Sequence, residues 1–365
     1  MKKEIKMFHL SNFKKVVFII LCVVVLALFV QRLFTSNNIA RNDVSSNEKI
    51  TESKPTKPFK VGIVLSIGGL GDKSYNDSAY KGVQLAVKKL GIEFDYIEPS
   101  TTINSEVNLG ANHLRQYAKE KYDLVIATGF LLKDGCEQVA REYPDVKFIL
   151  IDSIVDAPNV TDLVFKAEEG SFLVGSVAGL VTKTNVIGYI GAQDIPFFRK
   201  FQGGYMQGVS LVNPKAKVIS KYVNGLNPFL VPNRGNELAN ELIDQGADVI
   251  YTAAGSTGIG AIEACKKRGV YAIGVDNDQD YIEKGTVITS MVKKVDKAVY
   301  DSIELAVKGN LKPGILEFGV SNGGTDTSEF LYTKAQLPAG TLEKINGIKK
   351  DIISGKIKIK TDNIP

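Results

Sequence analysis

The sequence predicts an α/β protein of two lobes, and three observations carry that prediction. Lys60–Asn76 (KVGIVLSIGGLGDKSYN) reads as a strand that runs into a glycine turn and then a helix. From Lys60 onward, short apolar runs alternate with segments of helical periodicity, the pattern of parallel sheets with helices on both faces and right-handed crossovers. The pattern restarts near Gly170, giving two halves of similar size with a cleft between them. A chain of 365 residues, 44% hydrophobic and 23% charged, can bury a large core and has room for about two domains.

Residues 1–34 read as a targeting or anchoring segment. Lys2, Lys3, Lys6, Lys14 and Lys15 lead into an uninterrupted apolar run, Val16–Val30, closed by Gln31 and Arg32. The run is a secretory hydrophobic region or a slightly short membrane span, since a full crossing takes about 20 residues. The lysines keep the N-terminus cytoplasmic and place the rest outside. Ile20 and Leu21 precede Cys22 where a lipoprotein signal has a small residue, and Asn38-Ile39-Ala40 is a poor cleavage site. The preferred reading is an uncleaved anchor, with lipidation at Cys22 as the alternative. Residues 35–59 are polar, carry Pro55 and Pro58, and read as a flexible linker with little to bury.

In the first half, Val61–Ser66 is short, apolar and β-branched, suited to a strand buried on both faces. Gly68, Gly69 and Gly71 break it. Asp72, Ser74 and Asn76 follow where a helix should begin, and Ala79, Val83, Ala86, Val87 and Leu90 give Ser78–Leu90 helical spacing. Phe94–Glu98 is a strand, Asn104–Lys121 a helix and Leu124–Thr128 a strand closed by Gly129-Phe130. Cys136–Tyr143 is a helix before Pro144, Lys147–Asp152 a strand ending in an acid, and Thr161–Phe165 a further strand.

In the second half, Gly170–Thr182 is a helix rich in small residues, Val186–Ile190 a strand and Gly191–Asp194 a turn. Phe201–Leu211 is a helix, Lys217–Val223 a strand and Glu237–Gly246 a helix. Val249–Ala253 is a strand broken by Ala254-Gly255-Ser256-Thr257-Gly258, and Ile259–Arg268 a helix. Tyr271–Asp276 is a strand ending in an acid, Val287–Val292 a strand and Asp296–Lys308 a helix. The tail adds a strand from Leu316 and a helix over Leu337–Ser354. The first lobe is expected over 60–165 plus about 294–312, and the second over 166–293 plus about 313–365.

Asp72, Thr128, Asp152, Gly255, Asp276 and Lys293 all fall at or just beyond strand carboxyl ends. Open α/β sheets bind ligands along that edge, so facing lobes would gather these groups in one cleft. An Asp there can accept from two adjacent hydroxyls, and Asn76 offers donor and acceptor together. Lys293 can donate to a sugar oxygen, and Tyr75 and Phe130 can sandwich a flat ring. Plainer readings stand beside these. Asp72 or Ser74 fits a helix cap, Asp152 and Asp276 fit loop acids, and Phe130 fits the core. One of Lys293 and Lys294 fits a solvated charge.

Several function classes are excluded. A net charge of +5 without a basic, aromatic-laced block is no signature of nucleic-acid binding. His9 and His113 are too few and too far apart for a metal site or a His-dependent nucleophile. Cys22, Cys136 and Cys265 show no CxxC spacing; the first lies in the apolar run, the others on helix faces, and no disulfide is expected. GGLGDKS lacks P-loop spacing and departs from GxGxxG at Ser74, and Ser171 sits in no GxSxG elbow. No metal, cofactor or catalytic group is indicated. A binding role fits better than turnover.

Six stretches carry a family resemblance: Asp72-Lys73-Ser74-Tyr75-Asn76, Ala127-Thr128-Gly129-Phe130, Glu168-Glu169-Gly170-Ser171-Phe172, Ala254-Gly255-Ser256-Thr257-Gly258, Gly274-Val275-Asp276-Asn277-Asp278-Gln279 and Thr289-Ser290-Met291-Val292-Lys293. In this order, over about Lys60–Phe330, the chain resembles the basic membrane protein family, nucleoside-binding lipoproteins of bacterial ABC importers of the purine nucleoside receptor A type. The resemblance implies a type I periplasmic-binding-protein fold with a nucleoside clamped between lobes, and ABC permease and ATPase subunits as partners. It implies that Asp276 and Lys293 hold the ribose and that Asp72, Asn76 and Asp152 contact the ligand from the first lobe. It also implies aromatic stacking on the base, for which Tyr75 and Phe130 are the candidates. Tyr75 stands where the family motif usually has Phe, which keeps the ring and adds a hydroxyl. A ligand sensor of the same fold is the alternative to an import receptor, and an enzyme with a Rossmann-like domain is a third reading for which no catalytic residue is named.

Overall fold

The computed structural model describes residues 57–98 and 102–361. The expected anchor over 1–34 lies outside these residues. Among the described residues, no helix is long and apolar enough to cross a membrane.

The chain from Lys57 builds two six-stranded sheets with the same winding. The first uses β1 (Lys60–Val64), β2 (Glu93–Ile97), β3 (Leu124–Thr128), β4 (Lys147–Ile151), β5 (Val160–Phe165) and β11 (Gly314–Phe318), in the spatial order β2-β1-β3-β4-β5-β11. The second uses β6 (Val186–Gly191), β7 (Lys217–Tyr222), β8 (Val249–Ala253), β9 (Tyr271–Asp276), β10 (Val287–Lys293) and β12 (Thr325–Thr327), in the order β7-β6-β8-β9-β10-β12. Every pairing is parallel except β10 with β12, which is antiparallel. The central strands are short and nearly continuously buried, with β3, β8 and β10 buried at every residue, while the edge strands β2, β7 and β11 are exposed or half-buried. That is the signature of sheets covered on both faces.

Helices α1 (Tyr75–Leu90), α2 (Ile103–Lys119), α3 (Lys133–Glu142) and α8 (Val295–Val307) cover the first sheet. Helices α4 (Ala167–Val181), α5 (Pro196–Val212), α6 (Pro232–Asp244), α7 (Ser256–Arg268) and α9 (Thr341–Ile353) cover the second. Val61, Ile63, Leu65, Ile126 and Ile149 on one sheet, and Tyr189, Tyr251, Ile273 and Ile288 on the other, have no exposed surface. Each such aliphatic side chain contributes about 1.5–3 kcal/mol by leaving water. The pair α4 and α5 packs backbone to backbone, and only glycine allows it: a Cβ on Gly208 would lie 2.0 Å from the Phe172 carbonyl oxygen.

The chain passes between lobes after Phe165, after Lys293 and after Phe318. The crossings are tied together: Lys166 N–H donates to the Phe318 carbonyl (2.8 Å), Lys294 N–H to the Gly324 carbonyl (2.9 Å) and Val320 N–H to a Glu169 carboxylate oxygen (2.7 Å). The tail strand expected in the second lobe instead pairs with β5 in the first, which moves the last crossing beyond 312 to follow Phe318. Its exposed, polar-flanked sequence suits the open edge it occupies.

Candidate ligand-binding site

Both sheets present their carboxyl ends to the same space, at the point where strand order reverses in each. There they border a partly open cavity, lined by Asp72, Tyr75, Asn76, Phe130, Asp152, Gly255, Asp276 and Lys293 among others. All eight expected residues are brought together. Phe197, Phe198, Phe201 and Phe229 line it as well and were not anticipated.

The turn from β1 to α1 is fixed by its own side chains. Asp72 accepts from the Ser74 and Asp77 amides with one oxygen (2.8 and 3.2 Å), and from the Asn76 amide and Asn76 Nδ2 with the other (2.9 and 3.0 Å). Asn76 Oδ1 in turn accepts from the Ser66 amide at 2.9 Å. Asp72 thus satisfies the open end of α1, the capping role, while lining the cavity. Burial pushes its carboxyl up to about 6, against the backbone donors that pull it down. Ser74 does not cap; its hydroxyl crosses to the second lobe and donates to Asp276 Oδ2 at 2.6 Å.

Asp152 directly follows β4 and Asp276 ends β9, one in each lobe, and both hold a positive φ, +66° and +64°. That conformation is uncommon outside glycine, and Asp tolerates it better than most residues. It turns both carboxylates out of the strand direction into the cavity. Asp152 forms an ion pair with Lys293, and both side chains are at least 95% buried. The Lys293 ammonium also lies 4.7 Å from the Tyr75 ring centre and 4.9 Å from that of Phe165, a desolvated cation–π setting. The carboxyl of Asp276 is raised by burial, offset by the charge of Lys293 and the Ser74 hydrogen bond. The Tyr75 hydroxyl is buried near Asp152, and burial together with the Asp152 carboxylate pushes its pKa well above the usual value.

The opposite wall is aromatic. Phe130, from the first lobe, packs 5.0 Å from Phe197 of the second at 30°, so one of its faces is already covered. Phe198 meets Phe201 and Phe229 at 5.9 Å each. Gly255, at the head of α7, has φ +56°, a conformation that favours glycine. Three phenylalanines within Pro196–Phe201, straight after a strand-end turn, were the signal available in the sequence; with a helix expected only from Phe201, the turn before it received no role.

No group of metal-ligating side chains occurs among the described residues. Cys136 and Cys265 are unpaired and buried on α3 and α7. The cavity holds acceptors, one ammonium and flat apolar walls, which bind and orient a polar, ring-bearing molecule.

Two α/β lobes, three crossings and a cavity at facing sheet edges define a solute-binding protein of the periplasmic-binding-protein class. The fold matches the solute-binding protein of an ABC transporter system from Aeropyrum pernix with a TM-score of 0.74 and 29% identity, over 84% of this chain and 94% of that one. Residues 59–363 match the family described as ABC transporter substrate-binding protein PnrA-like, and the chain belongs to that family. Relatives include the CD4+ T-cell-stimulating antigen of Listeria monocytogenes, 32% identical over 85% of this chain and 90% of that one. Another is the ABC transporter nucleoside-binding protein BmpA of Lactococcus lactis, 29% identical over 85% and 91%. The family consists of binding proteins that hand small molecules to permease and ATPase subunits.

Proposed function

We propose that this protein captures a nucleoside, a purine nucleoside by preference, and delivers it to an ABC importer from the outer face of the cell membrane. The observation that carries the reading is the pairing, in one buried cavity, of Asp276 and Lys293 with a wall of phenylalanines. Asp276 accepts from two adjacent sugar hydroxyls and Lys293 donates to a sugar oxygen. The base lies against the aromatic wall that Phe130, Phe197, Phe198 and Phe229 form, with Tyr75 on the other side. Asp152 and the N–H that Asn76 keeps free of Asp72 address the polar edge of the base. Asp72 acts by holding Asn76. The name of the Lactococcus lactis relative supports a nucleoside, and the apolar run Val16–Val30 supports a membrane tether. Mass spectrometry of small molecules released from the purified protein tests this: a nucleoside is expected, and a different, stoichiometric ligand would overturn it.

A further inference from the structure

We propose that Ser74 is a positioning residue, holding the Asp276 carboxylate across the cleft so that the sugar-binding group is oriented only when the lobes are together. The inference rests on the reading of Asp276 given above. Ser74 belongs to the first lobe and is wholly buried, yet its Oγ hydrogen bond runs to Asp276 in the second, at 2.6 Å. Two neighbouring bonds bridge the same gap: Asn277 Nδ2 donates to the Ser74 carbonyl (2.7 Å) and Gln279 Nε2 to the Lys73 carbonyl (3.1 Å).

Each side of this bridge is rigid within its own lobe. The Ser74 amide is held by Asp72 at 2.8 Å. Opposite, Gln279 Oε1 accepts from the Val275 amide (3.0 Å), and the Gln279 amide donates to Ser290 Oγ (3.0 Å). Ser290 and Ser328 both donate to the buried Asp280 at 2.7 Å. Two stiff edges joined by three hydrogen bonds make or break those bonds together when the lobes move. A carboxylate has about four lone-pair sites. Ser74 takes one and leaves the rest for sugar hydroxyls, so it can stay in place while the ligand binds.

The test uses the full-length chain. Spin labels at Lys88→Cys and Lys267→Cys, exposed positions in the first and second lobes, report the distance between lobes in a Cys22→Ser background. Without ligand, Ser74→Ala and Asp276→Ala should each deplete the short-distance population, and the double variant should deplete it no further. In titrations with adenosine, guanosine and inosine, Ser74→Ala should weaken binding roughly tenfold, the factor for one charge-assisted hydrogen bond. In an Asp276→Ala background the loss should be under about twofold, as expected of two residues acting as one unit. Asn277→Ala, which leaves Asp276 its partner, should weaken both backgrounds alike and serves if Ser74→Ala does not fold. Equal losses for Ser74→Ala in both backgrounds, or an unchanged distance distribution, would overturn the proposal. Absence of nucleoside binding in the wild type would instead remove the functional reading, and the ligand-free distance cycle would still decide the role of Ser74.

Discussion

Asp276 and Lys293 sit on adjacent strands of the second lobe, and the proposed function assigns their carboxylate and ammonium to a sugar. Asp276→Ala removes a charged acceptor from two hydroxyls and leaves them buried without partners. Hydrogen bonds to a charged group are worth roughly 1.5–3 kcal/mol each, so calorimetric affinity for the nucleoside should fall about tenfold to several hundredfold. The free base, lacking the sugar, should lose much less; equal losses would reduce Asp276 to a strand-end acid. A second residue answers to pH. Asp162, on β5, has one carboxylate oxygen without a hydrogen bond, and burial pushes its carboxyl up to about 6 from 3.8. The folded state therefore binds the proton more tightly. Its contribution is complete below about 3.8 and is lost as pH rises through about 6. Asp162→Asn should raise the melting temperature at pH 8 and change it little at pH 4. A rise of the same size at both would exclude the carboxyl charge as the cause.

At the scale of elements, the strands other than β12 were legible, and the starts of the helices were not. Val61–Ser66, Leu124–Thr128, Lys147–Asp152 and Tyr271–Asp276 stand out because parallel strands buried on both faces read as unbroken apolar runs. Helices α5 and α6 begin at Pro196 and Pro232, five residues before periodicity reveals them. Proline suits a first turn, whose N–H groups have no partner within the helix, but such turns carry no apolar stripe. The same blindness hid Phe197 and Phe198. Strand-end position did identify Asp152, Asp276 and Lys293, because the topology of parallel sheets fixes where those ends go. The capping of α1 by Asp72 was open to a local reading, since its partners lie two to five residues on, but the reach of Ser74 across the cleft depends on a tertiary contact. The apolar run Val16–Val30 makes its own prediction. In membranes, the full-length protein should keep an intact N-terminus and resist extraction by carbonate. Intact mass showing cleavage before Cys22 with added acyl chains would establish lipidation instead.

At the scale of the molecule, the proposed function calls for two lobes that move about three short crossings, as in solute traps that close around their ligand. Ser74 with Asp276 and Lys293 with Asp152 join the two lobes across the cleft. Solution scattering of residues 57–365 should give a smaller radius of gyration with nucleoside than without; an unchanged profile at saturation would mean a rigid cleft. The central claim, that this cleft takes a nucleoside, is tested most directly by thermal unfolding of the same body against a nucleoside panel. A ligand that binds only the folded state stabilises it by roughly 2.7 kcal/mol at about 100 times its dissociation constant. A purine nucleoside should therefore raise the melting temperature in a concentration-dependent way, and no shift with any member of the panel would contradict the account.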